Sequence, residues 1–484
     1  MILDLWSDHP IKMPDQNSGL EDDAMPQCFS SRRRKSVAPA CLLAFVATLG
    51  FAVPAAAQTA APATTGGAVM EQFVPIAIYR TGPYAPGGSG IYGAYADYLA
   101  LVNARDGGVN GVKLVYEECE TGYQPDRMIE CYERQKAKGP TGAAAFTPSG
   151  TGGVYALIDR MTADKIPSVT IGYGRTDSSD GRVFPYFFPL ISNYWSENTA
   201  TIRYIAEREG GLEKLKGKKI ANVVMDFAAG RETQVILDAQ AKRYGFEVTT
   251  FPITPPGLDQ RAVWLQVRQY RPDWVLFRGW GAATPTGIKE AARAGIARDR
   301  IIGWWWSGSE EDVTPAGEAA KGFITAQFHA TGPNYPVFED IKKYVYGKGQ
   351  GNVEENRIGS VYYVRGVLHG VAVTEAMRTA MKKFGNRPLT GDEVRWGLEH
   401  LVMTSERIKQ LGLEGLMPEI KVTCADHEGD GAIRFQQWDG AKWVMISDWI
   451  KSDQSMVRPL IEASAAQFAK EKGITPRDCA GETN

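Results

Sequence analysis

The 484-residue sequence predicts an α/β protein made of two doubly wound parallel-sheet lobes. From Phe73 onward short apolar strands alternate with amphipathic helices, and the alternation runs through twice. Parallel strands need a crossover, usually a helix, so each run implies a parallel sheet covered on both faces. An antiparallel stretch after the two runs implies that the chain crosses between lobes more than once.

In the first run Phe73–Tyr79, Val112–Glu118, Ala143–Thr147 and Ser168–Tyr173 read as strands. Helices are expected near Tyr92–Ala104, Pro125–Gln135 and Gly152–Asp164, with a Gly-rich loop between Tyr79 and Tyr92. In the third helix Val154, Leu157, Ile158 and Met161 share one face at helical spacing. Asp106-Gly107-Gly108 is a stop for the first, because glycine takes the left-handed cap conformation at little cost.

The second run has strands Lys219–Asp226, Glu247–Ile253, Trp274–Gly279 and Ile301–Trp306, with helices near Arg231–Tyr244, Gln260–Tyr270 and Thr284–Ala294. After it come a strand at Gly322–His329 and a long helix around Ser360–Phe384. A meander follows at Ile420–Cys424, Ile433–Trp438 and Lys442–Trp449. Asp439-Gly440 between the last two is a hairpin signal.

The N-terminal residues stand apart. Arg32-Arg33-Arg34-Lys35, the apolar run Val37–Phe51 and the small residues through Ala57 have the layout of a secretory signal. Residues 1–57 are therefore expected to be a signal region cut near Ala57, with Met25 as the expected true start. The Ala/Thr/Pro/Gly-rich residues 58–70 read as a disordered lead-in, and export to the periplasm follows. No later segment has the ~18 uninterrupted apolar residues of a spanning helix. A net charge of −2 with interspersed signs gives no footprint for nucleic acid.

Removing the signal leaves Cys119, Cys131, Cys424 and Cys479, an even number in an oxidising compartment. A Cys119–Cys131 bridge would clip one βα unit, and Cys424–Cys479 would pin the tail. Four buried thiols are the alternative.

Catalytic signatures are missing. Gly88-Ser89-Gly90-Ile91-Tyr92-Gly93 matches a dinucleotide fingerprint, but the lead from Tyr79 is too long for the tight turn, and an exported protein meets little NAD. No cofactor is expected. Neither a nucleophile elbow nor a zinc helix is present. Cys424-Ala-Asp426-His427-Glu428-Gly-Asp430 resembles a metal cluster and is read instead as a polar turn with a cystine. The protein is not expected to be an enzyme.

Loops at the C-terminal ends of parallel strands carry the stronger signal, since ligands of open α/β sheets bind there. In the first lobe these are Arg80 to Tyr84, then Ser149-Gly150-Thr151 opening a helix, then Gly172-Tyr173-Gly174. Free N–H groups, hydroxyls and a positive helix end suit a carboxylate or other polar head; simple capping is the alternative. The second lobe offers Phe227, Trp280 between two glycines, and Trp305 and Trp306. Such aromatic residues at strand ends suit a binding wall.

With these loops in view, the chain resembles the branched-chain amino-acid (Leu/Ile/Val-type) substrate-binding proteins of ABC importers, which have the type I periplasmic binding fold. The carrying residues are Thr81-Gly82-Pro83, Val102-Asn103-Ala104-Arg105 through Gly111-Val112-Lys113-Leu114, Glu117-Glu118-Cys119 before Pro125, and Lys289 to Gly295. The resemblance implies two lobes joined by a three-crossover hinge that closes on ligand. Residues 71–192 with 327–417 form the expected N-terminal lobe, and 193–326 with 418–484 the C-terminal one. It also implies ABC permease subunits as partners, a carboxylate held at Ser149 and Thr151 with help from Gly172 to Gly174, and an aromatic contact from Trp280.

Two departures shape the ligand expectation. Where the family meets an α-amino group with an acid, spacing places Trp305, with Glu310 the nearest acid; the family's Tyr-Gly after Asp226 is Ala229-Gly230. A desolvated ammonium without an anion is costly, so an apolar or aromatic carboxylate is preferred over a branched-chain amino acid, with Arg80 as its partner. An internal acid is the alternative partner for Arg80. A ligand-sensing module of a regulatory system and an exported hydrolase are the alternative functions.

Overall fold

The computed structural model describes residues 69–429 and 431–481. The expected signal region, Met25, nearly all of the lead-in and Asp430 lie outside the described residues. Four strands open the first half: β1 (Glu71–Ile78), β2 (Lys113–Glu120), β3 (Ser168–Thr170) and β4 (Phe187–Pro189). β1 pairs in parallel with β2, and β3 with β4. The expected strand at Ala143–Thr147 forms only a bridge, Phe146 to Ser168. It still lies between the two pairs, because Ala144 N donates to Phe73 O and Phe146 N to Pro167 O. Helices α1 (Ala85–Asp106), α2 (Pro125–Gln135) and α3 (Thr151–Asp164) connect these strands.

α1 corrects the expectation of a Gly-rich loop. The helix begins at Ala85, so Gly87, Gly88, Gly90 and Gly93 occupy its first turns. Glycine is a poor helix former, but here the helix lies too close to its neighbours for a side chain. A Cβ on Gly88 would sit 2.0 Å from Tyr79 O, and one on Gly93 2.6 Å from Val353. The stop is as expected: Gly107 takes φ 70° and its N–H bonds to Val102 O. Asn103 then locks α1 to β2, donating to Leu114 O at 2.7 Å and accepting Leu114 N–H at 2.8 Å.

After α4 (Tyr194–Glu209) a seven-stranded sheet begins. Its first five strands are β5 (Lys219–Met225), β6 (Glu247–Ile253), β7 (Trp274–Arg278), β8 (Ile301–Gly303) and β9 (Ile324–Gln327), parallel to one another. Between them run α5 (Ala228–Tyr244), α6 (Arg261–Tyr270), α7 (Ala283–Arg293) and the short α8 (Glu310–Val313). The chain leaves this sheet for α9 (Pro336–Tyr344), α10 (Val361–Phe384) and α11 (Gly391–Glu399). The hairpin-like pair β10 (Val402–Met403) and β11 (Ile420–Lys421) flanks α12 (Ser405–Gln410). β12 (Arg434–Trp438) and β13 (Trp443–Met445) return to the large sheet as its antiparallel edge, order β13-β12-β9-β8-β7-β5-β6. The Ile420 strand is thus separate from the meander in which it was expected.

α10 belongs with the first strands: a Cβ on Gly366 would lie 1.9 Å from Ile91 O in α1. Both α1 and the first five turns of α10 are buried on nearly every side. The tail holds a further element not anticipated from sequence, α13 (Gln454–Lys472). It crosses back to the first half, where Phe468 stacks on Phe184 at 4.8 Å and Ser464 donates to Asp177 at 2.7 Å. Disulfides join Cys119 to Cys131 and Cys424 to Cys479. Among the described residues no helix is long and apolar enough to cross a membrane.

Candidate functional site

The loops at the strand ends of the two halves meet in one aromatic cluster. From the first half come Tyr79 at the end of β1, Tyr84 before α1, Tyr123 after β2 and Tyr173 after β3. The large sheet contributes Trp280 after β7 and Trp306 after β8. Tyr84 lies nearly parallel to Trp280, centroids 6.0 Å apart and planes 11° from parallel. Tyr173 stacks on Trp306 at 4.2 Å. Trp280 and Trp306 meet edge to face at 4.8 Å, and Tyr123 touches both Tyr79 and Tyr84.

Glycines make this convergence possible. A side chain on Gly172, at φ 83°, would press at 3.1 Å on Phe328, Trp305 and Trp306. Gly281 comes so close to the other half that a Cβ would lie 2.8 Å from Pro83 O and from Tyr84. Trp280 therefore reaches across on a backbone with no side chains beside it.

Polar groups thread between the rings. Tyr79 and Tyr173 share a hydroxyl contact of 2.6 Å. Thr151 Oγ1 meets Tyr194 Oη at 3.1 Å and accepts Gly174 N–H at 3.3 Å. Ser149 Oγ contacts Thr121 Oγ1 at 3.3 Å. Both indoles of Trp305 and Trp306 donate to Gly172 O, at 3.2 and 3.0 Å. No side chain caps α3, whose first intrahelical bond is Val154 N to Gly150 O, so earlier N–H groups of its first turn remain available. Burial raises the phenol pKa of Tyr79 and Tyr173 well above the ordinary value; these hydroxyls stay protonated and can donate. Tyr92 Oη and Trp280 Nε1 are buried without a hydrogen-bond partner.

Of the residues expected at the site, Tyr84, Tyr173, Trp280 and Trp306 join the ring cluster, and Gly172 and Gly174 hold its turn. Ser149, Gly150 and Thr151 sit at the adjoining helix start, with both hydroxyls already in internal contacts. Trp305 is buried, stacked on Tyr194 at 5.3 Å and edge-on to Phe328 at 5.2 Å. Phe227, half-buried at the start of α5, makes no ring contact among the described residues. Arg80 takes the internal acid as its partner: Nε donates to Glu118 at 3.0 Å and Nη2 at 2.5 Å.

The acids after β8 are also engaged. Asp312 accepts Tyr362 O–H at 2.5 Å and Ser309 O–H at 3.0 Å, and burial pushes its carboxyl up to about 8. Glu310 accepts Val361 N–H at 3.0 Å. In the Cys424–Glu428 turn, His427 bonds Phe187 O and stacks on Phe188 at 3.9 Å. No group of described residues is arranged to hold a metal.

Tyr79, Tyr123, Tyr194 and Tyr362 also stand at this cluster, beyond the residues expected from sequence. Tyr79 directly precedes the Arg80–Tyr84 loop, so its place was legible in the chain.

A family model described as periplasmic binding protein matches residues 71–442, and the chain belongs to that family. Its fold is the type I periplasmic binding fold. A solved structure described as an ABC transporter permease from the Pseudomonas fluorescens group is 47% identical, with TM-score 0.80, covering 85% of this chain and 100% of that one. A branched-chain amino acid ABC transporter protein from Thermus thermophilus with bound valine is 21% identical, with TM-score 0.67 over 81% and 98% of the two chains. A solute-binding protein from R. palustris in complex with benzoate is 17% identical, with TM-score 0.62 over 80% and 98%. No curated protein matches the chain.

Proposed function

We propose that the protein is the periplasmic receptor of an ABC importer. It traps a small apolar or aromatic carboxylate between its lobes and presents it to a membrane permease. The observation that carries this reading is the aromatic cluster built from both halves, in which Tyr84 faces Trp280 and Tyr173 faces Trp306. Opening and closing of one half against the other would uncover and bury such a site. The expected lobes, 71–192 with 327–417 and 193–326 with 418–484, place each partner of these pairs on a different lobe.

The ligand class follows from charge. Trp305 occupies the place where an acid would meet an α-amino group, and Asp312 and Glu310 are bonded internally. An ammonium brought here would lose its water without gaining an anion. Arg80 is spent on Glu118, so the polar head is assigned to the open turn of α3. The relatives with bound valine and benzoate bracket this chemistry.

A thermal-shift screen of benzoates, branched aliphatic acids, their amides and free amino acids tests the reading, because bound ligand stabilises by mass action. Apolar carboxylates should give the largest shifts. Tight leucine binding without any response to benzoate-like acids would sink the preference.

A further inference from the structure

Arg365, on the second turn of α10, is a fully buried cation with no counter-charge. Its side chain is 0% exposed. Nη2 donates to Trp305 O and to Gln327 Oε1, each at 3.1 Å. Nε and Nη1 meet no acceptor, and no carboxylate of a described residue reaches the guanidinium. Arg278, also fully buried, shows the contrast: it is paired with Glu197 at 2.8 Å.

The surroundings tie Arg365 to the aromatic cluster. Its guanidinium carbon lies 4.4 Å from the centre of the Trp306 ring, 4.7 Å from Phe328 and 5.7 Å from Tyr362. Trp306 carries Tyr173 as well, and Tyr362 meets Trp280 edge to face at 5.8 Å. The charged and titratable groups around it are few. Asp312, tied to Tyr362, is held uncharged at neutral pH by burial. His329 and His369 are pushed down to about 3, first by burial and then by Arg365 itself. Tyr79, Tyr173 and Tyr362 remain neutral phenols. Ring faces soften the loss of water from a guanidinium, but they leave the three N–H donors on Nε and Nη1 unsatisfied, which is expensive in a dry interior.

We propose that Arg365 supplies the fixed positive charge for the carboxylate of the trapped ligand, donating to it from Nε–H or Nη1–H beside Trp306. This rests on the receptor reading above and replaces Arg80 as the charged partner. Recognition would then combine a full charge from α10 with the neutral donors of the α3 turn.

Acid and amide pairs decide the matter, read by calorimetry with benzoate against benzamide and 4-methylpentanoate against its amide. The wild-type protein should prefer the acid. Arg365→Met should weaken the acid by about a hundredfold and the amide by less than about threefold, since the loss falls on the charged partner alone. Arg365→Lys should recover part of the acid affinity. Equal losses for acid and amide, or none, overturn the proposal, as does a wild-type protein that binds amides or amino acids but neither acid. Those results leave the receptor reading standing; it falls instead if none of the screened solutes binds. Ligand-free protein gives an independent arm. Removing an uncompensated buried charge should raise the melting temperature of Arg365→Met by about 2 °C, and a fall of that size would mark Arg365 as scaffold and overturn the proposal.

Discussion

The ring of Trp306 lies on that of Tyr173, with centroids 4.2 Å apart and planes 24° from parallel. The same indole donates to Gly172 O at 3.0 Å and to Tyr194 Oη at 3.1 Å. One residue following a strand of the large sheet is thereby fitted to Tyr173 and Gly172 of the first half and to Tyr194 of α4, with Arg365 also against its ring. Trp306→Ala should destabilise the protein by about 3–5 kcal/mol, the usual range for emptying a buried aromatic site. Trp306→Phe keeps an aromatic ring for the stack but loses the hydrogen bonds of the indole N–H and part of the buried ring, so a smaller loss of about 2–3 kcal/mol is expected. Urea unfolding of both variants checks the ordering, and equal losses would contradict a role for the stack itself.

Gly88 separates helix packing from phosphate binding. A Cβ there would meet Tyr79 O at 2.0 Å and the Tyr79 ring at 2.2 Å. The obstacle is backbone, which cannot rotate away as a flexible side chain can. Gly88→Ala should therefore destabilise by about 2–3 kcal/mol, although alanine is the better helix former. A neutral or stabilising effect in denaturant titration would show that β1 and α1 have slack between them. Added NAD should shift the melting temperature of neither protein.

The first run of strands and helices was legible because local pattern and tertiary demand agree there. Pro125–Gln135 ends where it was expected, and α10 begins within one residue of its place. The departures have physical causes. Glycines at 87, 88, 90 and 93 argue locally for a loop, and only the closeness of Tyr79, Trp280 and Val353 shows why a helix uses them. The sequence pattern of Ile301–Trp306 is that of one strand, but Trp304 to Ser307 turn away so that the indoles of Trp305 and Trp306 reach Gly172. At the site, strand-end loops could be chosen from sequence, whereas partners could not. Nothing local distinguishes Arg80, matched by Glu118, from Arg365, which no carboxylate of a described residue reaches within ion-pair distance.

Asp312 gives the fold a pH dependence of known sign. Burial raises its carboxyl from the ordinary 3.8 to about 8, while hydrogen bonds from Tyr362 and Ser309 pull the other way. The folded state thus holds this proton more tightly than the unfolded chain does. Its contribution is most favourable below about pH 4 and is lost as pH rises toward about 8. Asp312→Asn keeps an acceptor for Tyr362 and cannot ionise. The stability difference between variant and wild type should shift in favour of the variant between pH 5 and 8. A difference independent of pH would mean that Asp312 is already ionised in the folded protein.

The Cys424–Cys479 bridge closes a loop with a sequence separation of 55. On chain entropy alone such a closure contributes about 4 kcal/mol, and measured values often fall below that. α13 lies within the loop and has contacts of its own. Phe468 stacks on Phe184, the Arg175 guanidinium lies 4.3 Å from the Phe468 ring, and Ser464 holds Asp177. Arg477 beyond the helix reaches Glu399, whose carboxyl is brought down to about 2: burial opposes, and hydrogen bonds from His427 and Arg477 prevail. With those contacts in place, Cys424→Ser/Cys479→Ser should remain folded and retain helix content. It should still unfold at lower denaturant, by up to about 4 kcal/mol, because the unfolded chain gains freedom that the bridge denied it. Denaturant titration of the oxidised protein beside this variant checks it, since Cys119–Cys131 stays closed in both, and equal midpoints would show that the bridge adds nothing to the grip α13 already has.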